Sequence, residues 1–284
     1  MPDTPRVSFQ GETGAFSELA VEALFDGARP VATPSFEGVF ADVSSGKSDR
    51  GVIPIENSLF GSVHINYDLL REHELRIVGE VKIRIRHCLL GMGGATTGSI
   101  RQVHSHPQAL GQCRTWLREN LPGAEDVPAY DTAGAARMIA AMGVNDVAAI
   151  ASERAAGEYG LTVLARGIET NPNNYTRFLA LARPEDVSAD RVDGQAYKTT
   201  ILYSLKSNVP GALFKTLAVF ALRDVDLIKI ESRPLVGQPG QYLFYIDVDG
   251  HADDEDLQRA IGHLGELTTS LTILGSYPTG ATIE

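Results

Sequence analysis

The chain has 284 residues, 43% of them hydrophobic and 21% charged, the balance of an ordinary globular protein, and its length suits two domains that each bury a core. With 25 basic against 36 acidic residues the net charge is −11, which argues against nucleic acid as a partner because phosphate binding draws on basic patches. No apolar run approaches the length of a bilayer span, and Met1-Pro2-Asp3-Thr4-Pro5-Arg6 has no apolar signal core, so no membrane association and a cytoplasmic location are expected. Two cysteines, Cys88 and Cys113, cannot form a disulfide framework, and His87-Cys88 with His104-Ser105-His106 matches no paired zinc spacing; no metal and no cofactor are expected.

In chain order, Val7-Ser8-Phe9 reads as a short strand that runs into the glycine turn Gly11-Glu12-Thr13-Gly14. Ser17 is placed to cap a helix with Leu19, Ala20, Ala23 and Leu24 on one face. A strand, a glycine turn and a helix start can bind an anion, although the same residues serve equally as a plain tight turn. The third glycine of a dinucleotide fingerprint is absent. Arg29 to Thr33 is a second strand, and Ser35 caps a helix whose Phe36, Val39, Phe40 and Val43 recur at core spacing. Gly51-Val52-Ile53-Pro54-Ile55 fits a buried parallel strand that stops at Glu56-Asn57-Ser58. Ligands in open α/β sheets bind beyond the carboxyl ends of strands, so these three residues suit a site as well as a turn.

His64 to His73 is helical. Val81, Ile83 and Ile85 then alternate with Lys82, Arg84 and Arg86 up to Cys88-Leu89-Leu90, a long extended run able to cross from one lobe to another. After a strand at Ile100 to Val103, Ser105-His106-Pro107-Gln108 opens a helix, with Pro107 suited to its first turn and Gln108 and Gln112 on one face. Asp131-Thr132 caps the next helix, Ala148 to Ala151 is a small buried strand, Ser152 caps another helix, and Thr162-Val163-Leu164 leads on to Asn173-Asn174-Tyr175-Thr176-Arg177-Phe178. That stretch sets an amide, a hydroxyl, a guanidinium and a ring at the mouth of the strand Leu179 to Ala182, although by itself it reads first as a turn entering that strand. Strand and helix alternate throughout, so an α/β fold with mostly parallel pairing is expected. The two lobes would be 1–80 with 160–182, and 81–159, and the cleft between them would collect Glu56, Asn57, Ser105, Gln112, Thr176 and Arg177.

Residues 183–197, polar through Asp193-Gly194-Gln195, read as a linker. The remainder, 198–280, has the order βαββαβ of a ferredoxin-like domain, with strands at Thr199 to Ser204, Asp226 to Arg233, Tyr242 to Val248 and Ser270 to Leu274 and helices at Ala212 to Leu222 and Asp253 to Leu264. Pro210-Gly211 leaves the first of these helices with free N–H groups, and Glu231-Ser232-Arg233 sets polar side chains at a strand end.

Taken together and in order, Gly11-Glu12-Thr13-Gly14-Ala15-Phe16-Ser17, Pro54-Ile55-Glu56-Asn57-Ser58, His87-Cys88-Leu89-Leu90, Ser105-His106-Pro107-Gln108, Asn174-Tyr175-Thr176-Arg177-Phe178, Gly211-Ala212-Leu213 and Glu231-Ser232-Arg233-Pro234 resemble the prephenate dehydratases over nearly the whole chain. The resemblance implies a bilobal, periplasmic-binding-protein-like catalytic domain over 1–182 followed by a phenylalanine-sensing ACT domain, assembled as a homodimer or homotetramer. It implies that prephenate loses water and CO2 to give phenylpyruvate in phenylalanine synthesis. The alternatives are arogenate, the amino analogue, as substrate, or a non-catalytic amino-acid-binding regulator. Carried over by position, Thr176, Glu56 and Arg177 are expected to be catalytic and Asn57, Ser105 and Gln112 to bind substrate. In that scheme Arg177 grips a carboxylate, Thr176 hydrogen-bonds the departing hydroxyl and Glu56 supplies a proton. L-Phenylalanine is expected as effector on Gly211, Ala212, Leu213, Glu231, Ser232 and Arg233. Glu18 stands where relatives often have His and receives no catalytic role.

Overall fold

The computed structural model describes residues 4–188, 191–192, 194–235 and 237–284; Met1 to Asp3, and Ala189, Asp190 and Asp193 of the expected linker, lie outside the described residues. The chain divides into two compact units. One holds the residues up to His73, Val81–Ala180 and Ala281–Glu284, and the other Glu74–Glu80 with Leu181–Gly280.

The first unit begins with β1 (Arg6–Gln10), α1 (Phe16–Leu24), β2 (Arg29–Thr33), α2 (Phe36–Ser44), β3 (Arg50–Asn57), β4 (Gly61–Ser62), α3 (His64–Glu72) and the Val81–Arg84 part of β5 (Arg76–Arg84). It continues with β6 (Cys88–Gly91), β7 (Gln102–Ser105), α4 (Pro107–Asn120), β8 (Glu125–Pro128), α5 (Thr132–Met142), β9 (Val147–Ala151), α6 (Glu153–Tyr159), β10 (Thr162–Arg166) and β11 (Tyr175–Ala182). Two sheets result. The first runs β5-β11-β3-β1-β2, with β1 parallel to both β2 and β3 and β4 folded back on β3; the second runs β10-β6-β9-β7-β8. Pairing in the second sheet is parallel between β7 and β8 and between β7 and β9, but antiparallel where β6 meets β9 and β10, so the expectation of mostly parallel pairing holds only away from the crossings.

The bilobal α/β arrangement is therefore present, with different lobe boundaries. The alternating run from Val81 is not one strand. It breaks at Ile85 to His87 because β5 stays in the first sheet while β6 joins the second. Val81 to Arg84 accordingly belongs with the first lobe, and β10, expected in the first lobe, pairs with β6 in the second. The outgoing and returning chains are bonded to each other where they cross: the Ile85 N–H donates to Asn174 O (2.7 Å) and the Ile168 N–H to His87 O (3.1 Å).

The local signals are capping and core periodicity. Ser35, Asp131 and Ser152 each accept an N–H in the first turn of the helix they precede. Ser17 does not cap: α1 starts at Phe16 with Ala15 at its cap, and the Glu18 carboxylate accepts the Gly14 N–H (2.6 Å) instead. Glu18 is buried and paired with Arg154 of α6 (3.1 Å), and the Ser152 hydroxyl donates to Gly14 O (2.6 Å), so this residue clamps the glycine turn to the second lobe. Gly14 has φ of +88°, and a Cβ there would meet Ala155 Cα at 2.9 Å, so both backbone conformation and close approach require glycine.

The second unit contains β12 (Tyr197–Leu205), α7 (Ala212–Ala221), β13 (Leu227–Pro234), β14 (Tyr242–Asp249), α8 (Glu255–Leu267) and β15 (Thr268–Pro278), an antiparallel sheet in the order β13-β14-β12-β15. This is the ferredoxin-like topology expected, its helices covering a core of Ile201, Tyr203, Phe220, Phe244 and Ile246. The compact units do not follow the expected boundaries of 1–182 and 198–280: the second starts at Leu181 and takes in an earlier segment as well. Glu74–Glu80 belongs to this unit: the Lys198 ammonium meets the buried Glu80 carboxylate at 2.5 Å, and a Cβ at Gly275 or Gly280 would overlap the carbonyl of Ile77 or Glu80. The chain end, which carried no expected element, returns to the first unit as β16 (Thr282–Ile283), parallel to β5.

Candidate active site

The carboxyl end of β3 and the amino end of β11 lie side by side because Ser58 joins them. Its N–H donates to Tyr175 O (2.8 Å), its hydroxyl donates to Asn173 O (2.8 Å) and accepts the Tyr175 N–H (2.9 Å). Asn57 completes the junction. Its amide nitrogen donates to Asn174 Oδ1 (2.8 Å), Tyr175 O (3.2 Å) and Thr176 Oγ1 (3.0 Å), while its Oδ1 accepts the N–H groups of Leu59 (2.9 Å) and Phe60 (3.1 Å). The Thr176 oxygen thus accepts from an amide, which leaves its own O–H to donate elsewhere.

Thr176 and Asn57 open onto a cleft of about 540 Å3 between the two sheets, a size typical of small-molecule sites. The first turns of five helices border it: Phe16 and Ser17 of α1, Phe36 of α2, Val63 at the cap of α3, Gln108 and Ala109 of α4, and Thr132 of α5. First-turn N–H groups lack intrahelical partners and carry the positive end of the helix dipole, so such a cleft favours an anion. Among its described lining residues there is no Lys or Arg.

Gln112 is in this cleft, but its Oε1 is bound to His87 Nε2 at 2.5 Å, leaving its amide N–H groups for a ligand. His87, whose backbone N–H donates to the Glu169 carboxylate (2.9 Å), also lines the cleft; burial pushes its imidazole below the ordinary value, against the opposing influence of Gln112 and Glu169. A neutral His87 donates through Nε2 to Gln112. The sequence marked His87 only as part of a motif; its neutral, Gln-bound state depends on burial.

The rest of the expected set does not converge. Side chains alternate along a strand, so Thr176 and Phe178 face the cleft while Tyr175 and Arg177 face away. Glu56 and Arg177 line a second pocket of about 390 Å3 on the other face, with Ser58, Lys82, Tyr175 and Thr282. Ser105 is fully buried, and its hydroxyl donates to Ile150 O (2.6 Å), holding β7 to β9 rather than reaching the cleft. Phe36, expected as core, lines the cleft, as does Phe178, which is also buried in the core of the first lobe. Tyr130 and Asp131, at the start of α5, were not among the expected site residues and lie there too. Of the described residues, no group of three His, Cys, Asp or Glu side chains is disposed to hold a metal, and no helix is long and apolar enough to cross a membrane.

In the second unit, α7 is preceded by Gly211 at φ +80° with no side-chain cap, and the first N–H of the helix, that of Ala212, donates to Val209 O (3.0 Å). Along β13, Ser232 pairs with Phe244, which belongs to the helix-covered core, whereas Glu231 and Arg233 pair with Tyr245 and Leu243 on the opposite face. The three polar residues of that strand therefore do not share one face.

The family model described as prephenate dehydratase matches residues 7–186, and the ACT domain model matches 199–265. A curated relative, arogenate dehydratase/prephenate dehydratase 2, chloroplastic, of Arabidopsis thaliana, is 47% identical over 98% of this chain and 74% of its own. The crystal structure of a prephenate dehydratase in complex with L-Phe from Arthrobacter aurescens matches at TM-score 0.87 and 34% identity, covering 96% of this chain and 89% of that one. A structure described as GqqA, a novel type of quorum quenching acylase, matches at TM-score 0.88 and 36% identity over 96% and 98% of the two chains.

Proposed function

The chain belongs to the prephenate dehydratase family, hydro-lyases of phenylalanine synthesis, here with an ACT domain, and from that premise we propose which groups carry the reaction and its control. Prephenate carries two carboxylates and a ring hydroxyl. As the ring carboxylate leaves as CO2, its bonding electrons enter the ring, the carbon–oxygen bond breaks, and the hydroxyl takes one proton and departs as water. The product ring is aromatic, so the protein has mainly to orient the substrate and assist the leaving hydroxyl.

The observation that carries this reading is the Asn57-to-Thr176 hydrogen bond at the floor of a cleft ringed by helix N-termini. With its lone pair engaged by Asn57, the Thr176 hydroxyl donates to the departing oxygen. The helix first turns hold the carboxylates, Gln112 presents its amide N–H groups, and the consumed proton comes from cleft solvent. This revises the expected roles of Glu56 and Arg177: both lie on the reverse face of the strand pair, where they support its geometry and neither hand a proton to Thr176 nor grip the substrate. Ser105 acts by fixing β7.

The test is turnover of prephenate followed by phenylpyruvate absorbance, in wild type, Thr176→Val and Thr176→Ser. The reading requires loss in the first variant and partial recovery in the second; equal activity of Thr176→Val and wild type overturns it.

For control, the reading places phenylalanine between ACT domains of a homodimer or homotetramer. Its carboxylate lies at the first turn of α7, at Gly211, Ala212 and Leu213, and its ammonium near Glu231, with Arg233 on the same face of β13 and Ser232 on the other. What supports assembly is the apolar surface of this unit: Phe214 on α7 and Leu222 just after it are 74% and 79% exposed, and Ile228 and Ile230 are exposed on the edge strand β13. A phenylalanine titration of activity with Glu231→Ala as control, alongside measurement of the assembled mass, decides both parts. The cytoplasmic location belongs to the same proposal and is decided by cell fractionation, since the Arabidopsis relative is named chloroplastic.

A further inference from the structure

Asp131 is the cap of α5, and the two oxygens of its carboxylate have different surroundings. Oδ1 accepts the Gly134 N–H, the ordinary work of a capping residue. Oδ2 is buried with no hydrogen-bond partner, and the residue lines the substrate cleft. A Cβ on Gly11, across the cleft, would sit 3.9 Å from this oxygen, so the glycine turn leaves room beside it. Among the described residues no cation pairs with it. Arg137 of α5 is paired with Glu12 (3.0 Å), and His106 accepts the Gln108 N–H at Nδ1 (3.2 Å), its imidazole lowered by burial against the opposing charge of Asp131. A carboxylate oxygen without a donor in a cleft that otherwise attracts anions is unfavourable until a cation meets it.

The two candidate substrates differ at one group. The side chain of prephenate ends in a keto acid, whose oxygens only accept hydrogen bonds; that of arogenate ends in an amino acid, whose ammonium brings three donors and a positive charge. We propose that Asp131 binds this ammonium, and that it makes arogenate the preferred substrate of this enzyme. The inference rests on the dehydratase reading of the cleft. The bonds broken are those described for prephenate, with the ammonium unchanged, so the products are phenylalanine, CO2 and water.

The experiment compares kcat/KM on arogenate and on prephenate for wild type, Asp131→Asn and Asp131→Ser. Both replacements keep a good helix cap and remove the charge. Asn also offers an N–H to the keto oxygen of prephenate. Wild type is expected to favour arogenate by about 100-fold or more, because a site built around a buried polar group rejects the analogue that leaves it unpaired. In Asp131→Asn the arogenate value is expected to fall about 100-fold, mainly through KM, while the prephenate value rises. A wild type that prefers prephenate, an equal fall on both substrates, or an unchanged ratio overturns the proposal while leaving the dehydratase reading intact. Turnover of neither substrate by wild type overturns both.

Discussion

The two faces of the β3–β11 pair are built from adjacent residues and differ in chemistry. Toward the cleft stand Asn57, Thr176 and Phe178; toward the other pocket stand Glu56, Ser58, Tyr175 and Arg177, with Lys82 opposite. The cleft face offers neutral donors in a surround of helix first turns. The reverse face carries the charges, and there the chain end is held as well: Glu284 accepts from the Tyr175 hydroxyl (2.8 Å) and pairs with Arg84 (3.1 Å). One strand pair thus separates substrate handling from structural support, and it does so by turning alternate side chains to opposite sides.

The largest expected effect is on the cleft face. Thr176→Val removes the donor to the leaving hydroxyl, and kcat is expected to fall about 100- to 1000-fold in steady-state assays, with the thermal midpoint little changed. Asn57→Leu comes next: about 10- to 100-fold in kcat/KM from misplaced Thr176, accompanied by a lower thermal midpoint because Leu59 and Phe60 lose their acceptor. On the reverse face, Glu56→Gln and Arg177→Met are expected to lower kcat/KM by less than about 10-fold and to register mainly in thermal stability. If Arg177→Met matches Thr176→Val in lost kcat, the distinction between the faces collapses and the guanidinium acts on the substrate after all.

The smallest effect concerns His87, the cleft-side imidazole kept neutral by burial. Its folded value lies below that of the unfolded chain. Above about pH 6.5 both states are neutral there and stability is unaffected; as pH falls below 6.5 the unfolded chain takes the proton first, so stability declines. The decline is at most about 1.4 kcal/mol per pH unit and ends near the folded value. Thermal midpoints measured between pH 7.5 and 5 are expected to fall less steeply in His87→Gln than in wild type; parallel curves would mean that His87 is not held neutral.

Much of this was legible in the residues. The capping roles of Ser35, Asp131 and Ser152, the alternation of strand and helix, the βαββαβ tail and the strand-end positions of Asn57 and Thr176 all follow from short-range patterns, because caps, periodicity and turns are set by a few neighbouring residues. The period-two rule also separates Thr176 from Arg177, since consecutive strand residues cannot both face one cleft. The same rule separates Glu56 from Asn57, yet it does not say which of each pair meets the substrate.

That choice needed the tertiary structure. Which face of β11 is the cleft depends on where the second sheet lies, and that depends on the crossings at Ile85 to His87 and Gly167 to Asn174. Ser105 reads as a site residue until Ile150 O, 45 positions later, is seen to take its hydroxyl. The return of Thr282–Ile283 to β5 and the departure of Glu74–Glu80 to the second unit are long-range pairings with no local signal. Asp131 shows both levels at once. The sequence alone determined that it caps a helix, because the acceptor and the N–H it binds are three residues apart. That its second oxygen is buried and unpaired while the residue lines the cleft was decided only by the fold, which brings the Gly11 turn to it from 120 positions away.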